Sequence, residues 1–301
     1  MTRARAPGKI VLSGAYAVLS GAPAIVSAVS RYVLADTERP AAFVTDEVRA
    51  ALLPDERAPW FDADELREGD RKLGLGSSAA ILVASLFALQ QAREPDGSPL
   101  QQRARLLGRA LEAHQKAQGG GSGVDVAAST LGGTFVYQLG PTGASSRPAQ
   151  LPADLHVEVW TCPTSASTRE LLGAVARLSA AAPRQHARWL GAQILAANSA
   201  ALHVERGDSS GLLGALRAQQ RALFGLGSAA GVSIVTPELA ELAPRAEGEG
   251  GVLLPAGAGG GDIALFVGRA PSTLALRAAL ENHAHRRLEL DLSAAGVQAV
   301  P

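Results

Sequence analysis

The run Gly74-Leu75-Gly76-Ser77-Ser78, followed at once by the almost wholly apolar stretch from Ala79 to Gln91, most restricts what this chain can fold into. A helix that is apolar on every side has to be buried. A glycine-rich loop must therefore open directly into a core helix. Gly74 and Gly76 can take positive φ and let another group approach the backbone closely. Ser77 and Ser78 offer hydroxyls for a helix N-cap or for a metal ion. A helix start also presents unpaired N–H groups and the positive end of the macrodipole, a combination that holds phosphate well. The competing reading is a glycine turn with a serine cap and no ligand. No G-x-x-x-x-G-K-[ST] run occurs, so the loop is not a Walker motif.

Composition narrows the partners. The 301 residues are 47% hydrophobic and 19% charged, a globular balance long enough for one large domain or two of ordinary size. With 28 basic and 28 acidic residues the formal net charge is zero, so no bulk field draws in nucleic acid or an anionic membrane. An anionic ligand has to be met by a local basic site. Lysine occurs only at positions 9, 72 and 116, against an arginine-rich background. Cys162 is the only cysteine, which excludes an internal disulfide or a multi-cysteine metal site. The first residues lack a signal-peptide core, and no apolar run reaches the roughly 18–20 residues of a membrane span. The expectation is a cytoplasmic protein with neither nucleic-acid nor membrane partners.

Periodicity predicts strands over 9–12 and 24–34 with a turn at 20–23, and strands and loops over 36–70. A helix is predicted over 99–118, with Leu100, Ala104, Leu107 and Leu111 on one face that His114 and Gln118 continue. Structure resumes over 124–129, and a strand is predicted over 134–138. The turn-rich stretch 140–152 is the candidate boundary between domains 1–150 and 151–301. Beyond it come a strand over 156–160, helices over 168–178, 183–206 and 210–223, strands over 252–254 and 263–267 around a second glycine loop, a helix over 272–285 and a strand over 288–292. Mixing without regular alternation points to an α+β fold.

Three segments then carry a resemblance. Pro7-Gly8-Lys9 with Ser13-Gly14-Ala15-Tyr16, then Lys72-Leu73-Gly74-Leu75-Gly76-Ser77-Ser78-Ala79-Ala80, then Gly257-Ala258-Gly259-Gly260-Gly261-Asp262 resemble the three motifs of the GHMP kinases in their usual order. Within that superfamily, four further segments resemble the phosphomevalonate kinase branch: residues 113–119, 121–128, 165–171 and 231–239. The resemblance implies an N-terminal half like ribosomal protein S5 domain 2 and a ferredoxin-like C-terminal half, with nucleotide and acceptor between them. It implies ATP as phosphoryl donor, Mg²⁺, a small-molecule acceptor such as phosphomevalonate, and a monomer or homodimer.

Residue roles follow by the same resemblance. Lys9 and Asp125 are the catalytic pair, with Asp125 able to deprotonate or orient an acceptor oxygen and Lys9 to stabilise transferred charge. Gly74, Leu75, Gly76, Ser77, Ser78 and Ala79 hold the nucleotide, and Ser78 is the candidate Mg²⁺ ligand. His114, Lys116, Ser122, Ser167, Arg169, Gly259 and Gly260 are acceptor contacts. Bland alternatives stand beside these: a solvated strand-end lysine for Lys9, an Asx turn for Asp125, a carbonyl-bonded helix-end ring for His114, an N-cap for Ser167, a tight hairpin for residues 257–261. Three features depart from the pattern: Ala15 in place of a common glutamate, Leu253-Leu254-Pro255-Ala256 in place of Lys-Pro-Ser, and a short stretch after Gln118 without a lysine. An alcohol acceptor, as in mevalonate kinase or a sugar kinase, and a ligand-binding homologue without catalysis are the competing readings. The region before Lys72, with Trp60, is where an adenine pocket is sought.

Overall fold

Two long strands organise the chain: β1 (Arg3–Ser13) and β2 (Ala24–Pro40). Both exceed their apolar cores, because strand pairing extends into the charged ends. Arg3, Ala4 and Arg5 of β1 pair antiparallel with Val300, Ala299 and Gln298 of β12 (Gln298–Val300). The far end of β2 pairs antiparallel with β3 (Pro59–Asp62). A six-stranded sheet runs β12-β1-β2-β6-β7 with β3 on β2, where β6 is Thr134–Gly140 and β7 is Gly143–Ala149. A small hairpin joins β4 (Arg67–Glu68) to β5 (Arg71–Lys72). This computed structural model describes residues 2–93, 98–141, 143–165 and 167–300.

By Cα proximity the chain divides into two units, Met1–Ile10 with Ser27–Thr134 and Leu290–Pro301, and Val11–Val26 with Phe135–Glu289. Both units are discontinuous in sequence, because β1 and β2 each begin in one and end in the other. The stretch 140–152 is not a linker: most of it is the edge strand β7. Its small polar side chains are exposed, so backbone pairing and not burial makes it a strand.

In the first unit α2 (Ser77–Arg93) is buried from Ala79 to Leu89, as an all-apolar helix requires. Around it pack α1 (Asp46–Ala51), α3 (Pro99–Gln118), α4 (Val124–Leu131) and β3. Ser98 and Gln101 form a reciprocal capping box, Pro99 opens α3, and Gly119 closes it at φ 70°. The buried face of α3 differs from the predicted one. It runs through Gln102, Leu106, Ala110, Ala113 and His114, while Ala104 is exposed. Helix α1, capped by Thr45, stands in a region expected to hold only strands and loops.

In the second unit a four-stranded sheet runs β11-β8-β10-β9, antiparallel throughout: β11 (Arg286–Leu288), β8 (His156–Thr161), β10 (Ile263–Gly268) and β9 (Val252–Pro255). Helices α5 (Thr168–Ala181), α6 (Pro183–Glu205), α7 (Ser209–Ala230), α8 (Pro237–Gly248) and α9 (Leu274–Asn282) belong to the same unit. Its core joins Trp160, Leu223, Leu226, Ile234, Leu253 and Phe266. Helix α8 was not foreseen, although Thr236-Pro237-Glu238 is a plain start signal: Thr236 accepts the Leu239 N–H and Pro237 is the first helical residue.

One buried amide secures the first motif in this unit. Gln219 of α7 accepts from the Ser13 hydroxyl at 2.7 Å and the Gly14 N–H at 3.0 Å, and donates to the Leu12 carbonyl at 3.3 Å. Gly14 has φ 91°, and a Cβ there would lie 2.4 Å from the Pro23 carbonyl oxygen. Replacing Gln219 with leucine leaves these groups unpaired, a loss of roughly 2–4 kcal/mol. Gln219→Leu is expected to lower the thermal midpoint by roughly 5–15 °C in calorimetry.

His285 is 0% exposed. Its Nδ1 lies 3.2 Å from the His283 carbonyl, and Nε2 has no hydrogen-bond partner among the described residues. Burial pushes the imidazole below its ordinary range, against the opposing pull of the His283 carbonyl and the Glu238 charge. The unfolded chain therefore takes up the proton at higher pH than the folded one. The stability is fully present above about pH 6.5 and is lost as pH falls through the lower folded value. Melting curves should show the midpoint falling between about pH 7 and pH 5, with a smaller fall in His285→Phe.

Candidate active site

The glycine loop is shaped by what comes against it. Gly74 and Gly76 have φ of 72° and 80°. A Cβ on Gly76 would lie 3.1 Å from both Cγ and Cε of Lys9 and 3.5 Å from Cβ of Asp125. Three residues far apart in sequence thus meet where one side chain is absent. The Lys9 N–H donates to the Leu75 carbonyl at 2.8 Å, and Lys9 Nζ donates to the Gly74 carbonyl at 3.3 Å. Gly8 has no room for a side chain either, since its Cβ would come 2.8 Å from that same Leu75 oxygen.

The Gly76 carbonyl accepts the Ala80 N–H at 3.1 Å, so Gly76 is the N-cap of α2. Ser77, Ser78 and Ala79 form its first turn, whose N–H groups have no acceptor within the helix. Of the roles left open for the two serines, the N-cap falls to neither, because both hydroxyls lie inside the first turn. Ser77 is buried, while Ser78 is half-buried.

Asp125 sits in the first turn of α4 behind the N-cap Gly123. Its Oδ1 accepts the Val126 N–H at 3.1 Å and lies 3.8 Å from Nε2 of His114. The glycines at 119, 120, 121 and 123 all have positive φ, which lets the chain reverse between α3 and α4 and bring these two residues together. His114 is buried at 7% exposure. Lys116 is exposed in the last turn of α3, and the Ser122 hydroxyl oxygen accepts the Val124 N–H at 3.4 Å. The structure therefore gathers Lys9, Gly74, Gly76, Asp125 and His114, with Ser77 and Ser78 opening the adjoining helix.

In the second unit, Ser167 caps α5 by accepting the Glu170 N–H at 3.3 Å, and Arg169 is exposed in the first turn. The Ser165 hydroxyl donates to Asp262 Oδ1 at 2.9 Å, tying this turn to the end of the second glycine loop. Gly260 N–H donates to the Ile234 carbonyl at 2.8 Å, and a Cβ on Gly259 would lie 2.2 Å from that oxygen. Tyr16, itself at φ 61°, donates its hydroxyl to the Ala258 carbonyl at 2.7 Å. Burial raises its phenol well above the ordinary range, so it stays a donor. Tyr16, Ile234 and Gln219 were not singled out from sequence. Tyr16 lies in the first motif and Ile234 in the segment 231–239, but nothing local marks Gln219.

The departures have structural causes. Leu254 is fully buried in β9 and Ala15 lies in the core, so neither position presents a polar group. The guanidinium of Arg39 covers one face of the Trp60 ring at 3.7 Å. No group of three or more His, Cys, Asp or Glu able to hold a metal occurs among the described residues. A Mg²⁺ ion carried in on phosphate oxygens and water, with one serine hydroxyl, fits this donor set. No helix among the described residues is long and apolar enough to cross a membrane.

Residues 66–133, which contain the glycine loop, α2, His114 and Asp125, match the family described as GHMP kinases N terminal domain. Similarity to a protein of Streptomyces sp. (strain CL190) is 30% identity over 86% of this chain and 88% of that one. The chain belongs to the GHMP kinases and is a phosphotransferase. That Streptomyces relative is a phosphomevalonate kinase. Two solved structures share the fold. A Listeria innocua protein superposes with a TM-score of 0.82 at 23% identity over 99% of both chains. The Streptococcus pneumoniae phosphomevalonate kinase, in complex with phosphomevalonate and AMPPNP, gives 0.77 at 18% identity over 97% of this chain and 100% of its own.

An alanine at position 76 meets both obstacles at once, a left-handed φ and the Lys9 side chain. Gly76→Ala is expected to cut kinase turnover roughly 100-fold in a coupled ADP assay through displacement of Lys9. Its melting midpoint should move by only a few degrees, as a backbone cost of about 1–2 kcal/mol implies.

Proposed function

We propose that this chain transfers the γ-phosphoryl group of ATP to the phosphate of 5-phosphomevalonate, giving 5-diphosphomevalonate and ADP in the mevalonate route to isoprenoids. The observation that carries this reading is the meeting of Lys9, Gly76 and Asp125 at the mouth of α2, in a chain whose similarity to a phosphomevalonate kinase spans most of both sequences. The reading is of a cytoplasmic enzyme, monomer or homodimer, acting on small molecules.

The chain's own groups supply positioning and electrostatics, which is most of what phosphoryl transfer asks of a protein. The N–H groups from Gly74 to Ala79 cradle the nucleotide phosphates at the positive end of α2. Ser78 is the Mg²⁺ ligand, and the ion neutralises charge on the phosphate oxygens when bound. Lys9 stabilises the transferring group. Asp125 orients the acceptor. Lys116 and Ser122 in the first unit, and Ser167, Arg169 and the Gly259 amide in the second, are groups whose charge-assisted and backbone hydrogen bonds suit an anionic acceptor, whereas the Gly260 N–H is taken by the Ile234 carbonyl.

One observation favours an alcohol acceptor instead. Buried Leu254 contributes no cation, and a hydroxyl acceptor needs Asp125 as a base where a phosphate does not. ADP release measured with phosphomevalonate, mevalonate and a set of sugars separates the readings. Turnover of phosphomevalonate is expected. Turnover of mevalonate alone would sink the proposal, and tight nucleotide binding with no turnover would point to a silent homologue. Lys9→Ala and Asp125→Asn should each lower kcat on the order of 100-fold or more without changing the melting curve. Near-normal rates in both would refute this assignment.

A further inference from the structure

The imidazole of His114 is a polar group that the fold buries and leaves almost unused. Its side chain is 9% exposed. Nδ1 has no hydrogen-bond partner among the described residues. Nε2 faces Gly121, where a Cβ would come to 3.7 Å, and Oδ1 of Asp125 at 3.8 Å. A ring meant to grip an acceptor phosphate would present a donor to solvent. This ring is turned to a carboxylate.

The tautomer follows from what each nitrogen meets. A neutral imidazole carries its proton on one nitrogen only. With the proton on Nδ1, a buried N–H would lack an acceptor and the Nε2 lone pair would face the carboxylate. With the proton on Nε2, the donor faces Asp125 and only an acceptor is left unpaired, the less costly orphan. A movement of about 1 Å brings Nε2 within hydrogen-bond range of Oδ1. Asp125 Oδ1 already accepts the Val126 N–H at 3.1 Å, and Oδ2 has no partner among the described residues.

We propose that His114 is a positioning residue: its Nε2–H anchors Oδ1 of Asp125 and leaves Oδ2 to the acceptor. The proposal rests on the reading of Asp125 as the acceptor-orienting carboxylate, and it replaces the expectation that His114 touches the acceptor phosphate. A carboxylate held at one oxygen by two donors keeps one rotamer. Without the ring the Val126 N–H is the one donor left to Oδ1 among the described residues, and the reactive oxygen wanders.

The test is steady-state kinetics with whichever acceptor the wild-type enzyme turns over, so that an error in acceptor identity does not obscure the result. His114→Leu should lower kcat roughly 10–100-fold, with acceptor and nucleotide KM within about threefold of wild type. His114→Gln, whose amide N–H can reach Oδ1, should recover most of that loss. In an Asp125→Asn background, His114→Leu should cost less than about threefold, because nothing remains to be positioned. A tenfold rise in acceptor KM with kcat kept would make His114 a phosphate ligand and overturn the proposal, as would a full loss in the Asp125→Asn background. Imidazole nitrogen NMR of the full chain tests the geometry without any turnover. The proton should sit on Nε2, and the His114 signals should move in Asp125→Asn. An Nδ1–H ring, or no response to that substitution, overturns it even if the enzyme acts on no acceptor tried.

Discussion

The close approach at Gly76 is the constraint on which the donor half of the site depends. Lys9 leaves the sheet on β1, Asp125 opens α4, and the glycine stands at the head of the core helix α2. These can meet only where no side chain intervenes. Burial of α2 on every side holds that helix in place, so the groups at its mouth inherit the rigidity of the core. Lys9 is fixed twice, by its backbone bond to Leu75 and its side-chain bond to Gly74. Its ammonium is thereby directed by the fold itself, and under the proposed function this is preorganisation of the catalytic lysine.

The second unit solves a similar problem with buried polar groups. The turn after β1 holds polar groups that would be costly to bury unpaired, and Gln219 satisfies two backbone groups and the Ser13 hydroxyl from α7. The loop at 257–261 is shaped by the Ile234 carbonyl and the Tyr16 hydroxyl. Both loops are therefore defined by hydrogen bonds from distant elements, although their glycines are what make the bonds geometrically possible.

A chain with zero formal net charge has to meet an anion locally, and in the proposed function main-chain groups do most of this. The first turn of α2 offers N–H groups without adding charge. Cationic side chains are sparse by comparison, and the buried Leu254 removes one place where a cation was expected. Under the proposed function, donor-side phosphate binding rests on main-chain groups, and Lys116 and Arg169 are exposed cations, one in each unit.

Local signals carried much of the architecture. The apolar run after the glycines could only be a buried helix, Ser98-Pro99 and Gly119 bounded α3, and the order of three glycine-bearing motifs identified the family. These are properties of backbone conformation and hydrophobic pattern, which act over a few residues. Other features had no local signature. The buried face of α3 is rotated from the one its leucines suggested, because α1, α2 and α4 decide which side is covered. The stretch at 140–152 reads as a linker and is an edge strand, because its partner β6 supplies the pairing. His114 could be named from sequence, but its direction toward Asp125 depends on a four-glycine reversal whose path only the folded chain defines. Sequence determined which groups are present and which segments must be buried; tertiary structure decided which of them face one another, since that follows from packing between elements that share no local code.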